Sequence, residues 1–312
     1  MITLKNWIVD SNQNLESASL NEMYETCFLG EELSLDDRLE WVAKNFKHEP
    51  GAIRKVSYNH ENALIAFSPN GDVQNVGDLH GRQPPSGRIL FDATSLLIPE
   101  LTYLMEWANL HGKDFDVVYV EPSEYSSTSY KSKIGIESID YSLSEDGPGV
   151  DMLPRFTSPI DKSHLVVSLG YEGHRFGALL ISDEITPTSM SCVVGVPPFI
   201  LGWERATYAK NHSEMRDAKK QYEADYQVIP ANDPLQAYEA INTIYKANAA
   251  EARGGRARLN LVPIGTKPVA LAMSWFAINH KGTGILYDFV KKKPKRSKGI
   301  GKIHLWEFSC SG

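Results

Sequence analysis

Several signatures of familiar chemistry are missing from this 312-residue chain. Cys27, Cys192 and Cys310 are its only cysteines, an odd number without paired spacing, so neither a disulfide framework nor a zinc site is expected. No run approaches the roughly 20 apolar residues of a membrane span. The first residues, with an acidic Asp10 and no apolar stretch, do not read as a signal peptide, and a cytoplasmic protein without membrane contact is expected. A Gly-x-x-x-x-Gly-Lys-Ser/Thr phosphate loop, a Gly-x-Ser-x-Gly elbow and a His-Glu-x-x-His helix are all absent, and Gly299-Ile300-Gly301 is too short for a dinucleotide fingerprint. No cofactor or metal is therefore expected.

What the chain has is an uneven charge. It carries 32 Lys and Arg against 39 Asp and Glu, a net of −7. From Glu251 to Gly312 there are 12 basic and 3 acidic residues, a net of +9, which leaves −16 on the rest. The protein is acidic with a basic end, which favours an anionic partner there.

The stretch Arg258 to Val290 carries the clearest pattern. Leu259 to Pro263 has strand length, Ile264-Gly265-Thr266-Lys267-Pro268 breaks the chain, and Val269 to Ile278 is apolar nearly all round, as a buried helix is. Thr266 suits an N-cap and Pro268 the first helical turn. Gly284 to Tyr287 begins the next strand. A backbone N–H cluster, a hydroxyl and a cation thus meet at a helix N-terminus, where anions bind.

A similar unit precedes it. Arg88 to Asp92 reads as a strand, Ala93-Thr94-Ser95 as a turn, Leu97 to Leu110 as a helix and Phe115 to Val120 as a strand ending at Glu121-Pro122. His164 to Leu169, followed by Gly170-Tyr171-Glu172-Gly173-His174-Arg175, answers Trp7 to Asp10 with its polar loop. Offsets of about 160 to 170 residues suggest one fold present twice. A helix is expected from Leu15 to Cys27, and another after Ser34. Further on come a strand from Ser191 to Val196, a helix from Gly202 to Gln221, a strand from Tyr226 to Ile229, and a helix begun by Asp233-Pro234 with Gln236. The fold class expected is α/β, with two tandem Rossmann-like domains, mainly parallel sheets, an internal pseudo-duplication and boundaries at 1–155 and 156–312.

Ligands of such sheets bind beyond the strand C-termini. In the second half that edge holds Gly170, Glu172, Arg175, Gly195 to Pro197, Asn232-Asp233 and Gly265, Thr266, Lys267 and Pro268. In the first half it holds Asp10 to Asn12, Asp92, Thr94, Ser95 and Glu121 to Tyr125. Ordinary loop and capping roles also account for each residue singly. Asp92, Glu172 and Asp233 are the acid or base candidates should the chain be an enzyme acting on nucleotides or nucleosides.

The strand, Gly-Thr-Lys-Pro turn, apolar helix and strand of Leu259 to Tyr287 resemble the ligand turn of the CRISPR-associated Rossmann-fold sensor domains. The resemblance implies CARF-like nucleotide sensing, with a cyclic oligonucleotide held across paired domains, in an anti-phage defence system. It carries over to Gly265, Thr266, Lys267 and Pro268 alone. Ala93-Thr94-Ser95-Leu96 lacks the Lys and Pro, and no nuclease or protease domain is appended, so the resemblance implies an effector protein as partner. An enzyme and a scaffold of a defence complex are the alternatives. The run Lys291 to Lys298, KKKPKRSK, fits either a ring around an anionic ligand or contact with long nucleic acid.

Overall fold

The computed structural model describes residues 1–11, 22–31, 37–69, 71–131, 137–141, 143–145, 147, 149–161, 163–182, 185–251 and 258–311. Along the chain run β1 (Ile2–Asp10), β2 (Thr26–Gly30), α1 (Asp37–Asn45), β3 (Ile53–Asn59), β4 (Leu64–Ser68), β5 (Asp72–Asn75), β6 (Ile89–Asp92), α2 (Ile98–Leu110) and β7 (Phe115–Tyr125). The short strands β8 (Thr128–Lys131), β9 (Glu137–Asp140), β10 (Ser144–Glu145) and β11 (Asp151–Met152) follow. Then come β12 (His164–Leu169), α3 (Gly173–Leu180), β13 (Ser189–Gly195), α4 (Trp203–Gln221), β14 (Glu223–Ile229) and α5 (Pro234–Glu251). The chain closes with β15 (Leu259–Pro263), α6 (Lys267–Asn279), β16 (Gly284–Tyr287), β17 (Lys291–Lys292) and β18 (Ser297–Cys310). The class is mixed α/β.

Contacts divide the chain into two units, Met1–Ser126 with Lys293–Gly312, and Ser127–Lys292. The last strand, expected with the second half, belongs to the first unit. There β18 pairs antiparallel with both β1 and β7, burying Ile303, Leu305, Trp306 and Phe308. The partners in β1 are about 300 residues away in sequence and those in β7 more than 170, so no local pattern announces the pairing.

The sheet of the first unit has the order β1-β18-β7-β6-β2-β3-β4-β5. Its centre, β7-β6-β2-β3, is parallel, and β4 and β5 extend it by antiparallel pairing. All residues of β2 and β6 are buried, as befits parallel strands covered on both faces. Two sequence expectations change here. Thr26-Cys27-Phe28-Leu29-Gly30 forms the central strand rather than the end of a helix, since so short a run has no period to tell strand from helix; residues 12–21 lie outside the described ones. Trp7 to Asp10 is edge strand and does not occupy the place that His164 to Leu169 takes in the other sheet; β2 lies next to β6, as β12 lies next to β15.

In the second unit the order is β11-β16-β15-β12-β13-β14, with β16 to β14 all parallel and β11 antiparallel at one edge. Leu165, Val167, Leu169, Met190, Cys192 and Val194 form one core with Phe176 and Leu179 of α3 and Ala218 of α4. From α4, Ala218 joins this core and Met215 packs against it, with Tyr222 just beyond the helix end doing the same, while Thr207 and Asn211 are buried too. Its neighbour α3 lies so near that a side chain on Gly173 would meet the Lys210 carbonyl. Residues Pro268 to Ala277 of α6 are all buried, so its apolar circumference is explained by cover on every side.

Candidate functional site

In both sheets the chain builds outward from one strand and then returns to that strand's other side. The reversal falls between β2 and β6 in the first unit and between β12 and β15 in the second. Such a point leaves a crevice beyond the strand C-termini, because the loops on its two sides run in opposite directions.

The reversal of the first unit is filled by its own polar groups. Asp92, fully buried at the end of β6, accepts bonds from the Thr94 N–H at 2.9 Å and the Ser95 hydroxyl at 2.5 Å. Ser95 Oγ accepts from the Gly30 N–H at 2.9 Å, and Thr94 Oγ1 from the Val120 N–H at 3.0 Å. A Cβ on Gly30 would stand 2.5 Å from the Ser95 carbonyl oxygen, so only glycine lets β2 end here. Thr94 and Ser95 are buried, and together with Asp92 they act as the internal tie of the turn. Farther along the same edge, Glu121 is buried against His304, Oε1 to Nε2 2.7 Å, and the Trp7 indole N–H donates to His304 Nδ1 at 3.2 Å.

The reversal of the second unit is more open. Gly170 and Gly265 face each other: a Cβ on Gly170 would stand 2.9 Å from the Ile264 carbonyl oxygen, and one on Gly265 3.0 Å from that of Leu169. Gly265, Thr266 and Lys267 are half-exposed, and Pro268 is buried in the first turn of α6. Thr266 stands at the N-cap as expected but makes no capping bond; its hydroxyl donates instead to the Ala231 carbonyl at 2.8 Å. The Gly265 N–H is taken by Ser168 Oγ at 3.0 Å.

Three expected site residues have structural partners. Glu172 Oε1 accepts the N–H groups of Leu143 and Ser144, both at 2.8 Å, and Oε2 accepts the Ser144 hydroxyl at 2.8 Å. Its carboxylate therefore anchors β10 over the edge. Arg175 grips Asp288 with two bonds, 2.5 and 2.7 Å, and donates a third to the Ile264 carbonyl at 3.2 Å. Burial works against that charge, yet Asp288 holds the guanidinium protonated more firmly than usual. Asp233 caps α5, accepting from the Gln236 N–H at 2.9 Å and the Gln236 side chain at 2.8 Å. With Asp92 also taken up, the three carboxylates considered for acid or base work each hold a fold element.

The basic run divides. Lys291 and Lys292 pair with Glu145 and Ser144, the strand that Glu172 holds, and so reach the edge of the second unit. Lys293 to Lys298 belong to the first unit and lead into β18, with Ser297 buried. Sequence reasoning missed Asp288 as the partner of Arg175, because the two are 113 residues apart. It also missed an aromatic group beside Gly170, in which the Tyr171 ring lies 5.0 Å from Tyr141 and 5.8 Å from Trp203. Among the described residues no group of His, Cys, Asp and Glu is arranged to hold a metal. The three cysteines are buried and free, and burial pushes each thiol up to about 12, which leaves them protonated and unreactive at neutral pH. No described helix is long and apolar enough to cross a membrane. A scan against protein-family models gives no match to this chain, and no curated protein matches it.

Proposed function

We propose that the chain binds a nucleotide-like anion at the strand-order reversal of the second unit. One observation carries the reading: α6, 13 residues long, begins at the reversal with no side chain capping its N-terminus, and the half-exposed Gly265-Thr266-Lys267 turn forms that end. A phosphate there gains the positive end of the helix dipole and the Lys267 charge. The half-exposed rings of Tyr171 and Trp203, on the loop after β12 and the first turn of α4, are of the kind on which a base stacks. Lys291 and Lys292 add positive charge to the same unit.

The two units share the parallel order of four central strands, and we read them as tandem Rossmann-like copies of which the second keeps the ligand site. The resemblance of the Gly-Thr-Lys-Pro turn supports a cytoplasmic sensing role in anti-phage defence, with the output in a partner protein. Cyclic oligonucleotides, mononucleotides and NAD are the ligands to try first. A ligand at about 100 times its dissociation constant adds about 2.7 kcal/mol to the folded state, visible as a raised melting temperature. The shift is expected in the native chain and lost in Lys267→Ala. A shift that persists in the variant, or none with any compound, overturns the proposal.

A further inference from the structure

The opposite end of the same sheet holds a cavity of about 290 Å³, at the start of β12, β13 and β14 and beneath α5. Parallel sheets bury apolar side chains under their helices. Here three neighbouring strands present polar ones: His164, Ser189 with Ser191, and Glu223 with Asp225 and Gln227. The strand register sets them side by side, His164 beside Ser189, Ser189 beside Glu223, and Ser191 beside Asp225. From α5, Ile244 and Ala247 add an apolar wall and Asn248 a polar one.

The lining of the cavity is richer in acceptors than in donors. His164 is held between two hydroxyls, Nδ1 to Ser189 Oγ at 2.7 Å and Nε2 to Ser191 Oγ at 2.9 Å. Burial keeps its imidazole below the usual pKa, with the Asp225 carboxylate opposing, so the ring is neutral at pH 7. Asn248 donates one of its two N–H groups to the Ile244 carbonyl at 2.9 Å. Gln227 turns its own toward Asp225 at 3.4 Å. Among the described residues neither Glu223 nor Asp225 has a basic partner within salt-bridge distance. The lining thus carries two negative charges, several oxygen acceptors and no cation.

We propose that this cavity binds a small organic ammonium, a primary amine or diamine, with Asp225 as its counter-ion. An ammonium brings three donors and no acceptor, which complements this lining, and its alkyl part suits Ile244 and Ala247. A phosphate or carboxylate meets two like charges there. The site lies at the strand starts, so it is distinct from the anion turn at their ends.

Calorimetric titration of the full chain with 1,4-diaminobutane tests this, with 1,4-butanediol as the uncharged counterpart. One saturable site for the diamine is expected, weakened about fivefold or more in Asp225→Asn, a surface substitution that leaves the fold intact. Ala247→Trp, at the open rim of the cavity, fills it and abolishes binding. Lys267→Ala leaves the diamine affinity unchanged. Absence of saturable binding, equal binding of the diol, or a diamine affinity indifferent to either Asp225→Asn or Ala247→Trp overturns the proposal.

Discussion

The two strand-order reversals have the same parallel neighbours and opposite contents. In the first unit, Asp92, Thr94, Ser95 and Gly30 satisfy one another in a fully buried turn. In the second, the turn after β15 has no acidic residue, its Thr266 is turned to Ala231, and Lys267 stands half-exposed at an uncapped helix. In the first unit a carboxylate bonds its own turn from within, whereas the second turn has none and the helix end it forms is half-exposed. A shared strand order therefore provides a crevice, and a few loop residues decide whether it is sealed.

Substitutions probe that contrast from strong to weak. The largest effect is expected at Arg175→Met, which strands the buried Asp288 carboxylate and costs the second unit about 3–5 kcal/mol, measured by chemical denaturation. A loss below about 1 kcal/mol would show that the Arg175 grip is not what holds α3 to the sheet. Next is Asp92→Ala. It leaves the Thr94 N–H and Ser95 hydroxyl without their acceptor in a sealed turn, at about 2–3 kcal/mol, with faster amide exchange in β2 and β6.

The response to pH separates the units by sign. In the first, burial pushes the Asp116 carboxyl up to about 6 although Arg88 and the Tyr24 hydroxyl oppose this. Its folded pKa lies above the unfolded one, so the folded state binds more protons between about pH 4 and 6, and stability falls as pH rises through that window. The swing is on the order of 2 kcal/mol, and Asp116→Asn removes it. In the second unit His164 is lowered by burial, so the unfolded state binds more protons below about pH 6.5 and stability is lost on acidification. Hydrogen exchange followed separately in β7 and β13 between pH 4 and 7 should show opposite slopes; parallel slopes would refute the assignment. The smallest effect is that of Lys267→Ala on the fold itself, within about 0.5 kcal/mol, which is why its effect on binding is informative.

Local readings of the chain were dependable where a period or a turn residue carries the information. The apolar helices α2 and α6, the strands ending at Asp92 and Leu169 and the one from Leu259, and the Asp233–Gln236 cap follow from residues close together in the chain. The Gly-Thr-Lys-Pro turn was legible in the same way, and it stands at the sheet edge anticipated for it. Readings failed where partners are far apart. Thr26 to Gly30 took the central place given to Trp7 to Asp10, because a short, mostly apolar run does not state which neighbours it will pair with. Glu172 and Arg175 have partners in Ser144 and Asp288, 28 and 113 residues away, that no local pattern announces.

By itself, the sequence determined that this is an α/β protein with a basic end and a helix opened by Gly265-Thr266-Lys267-Pro268, since propensity, hydrophobic period and charge are written residue by residue. Only the tertiary structure decided that β18 completes the first sheet, that Asp92 seals one reversal while the other stays open, and that six polar side chains from three strands line one cavity. Those outcomes depend on pairings between distant residues, whose free energy is gained only when the whole sheet assembles.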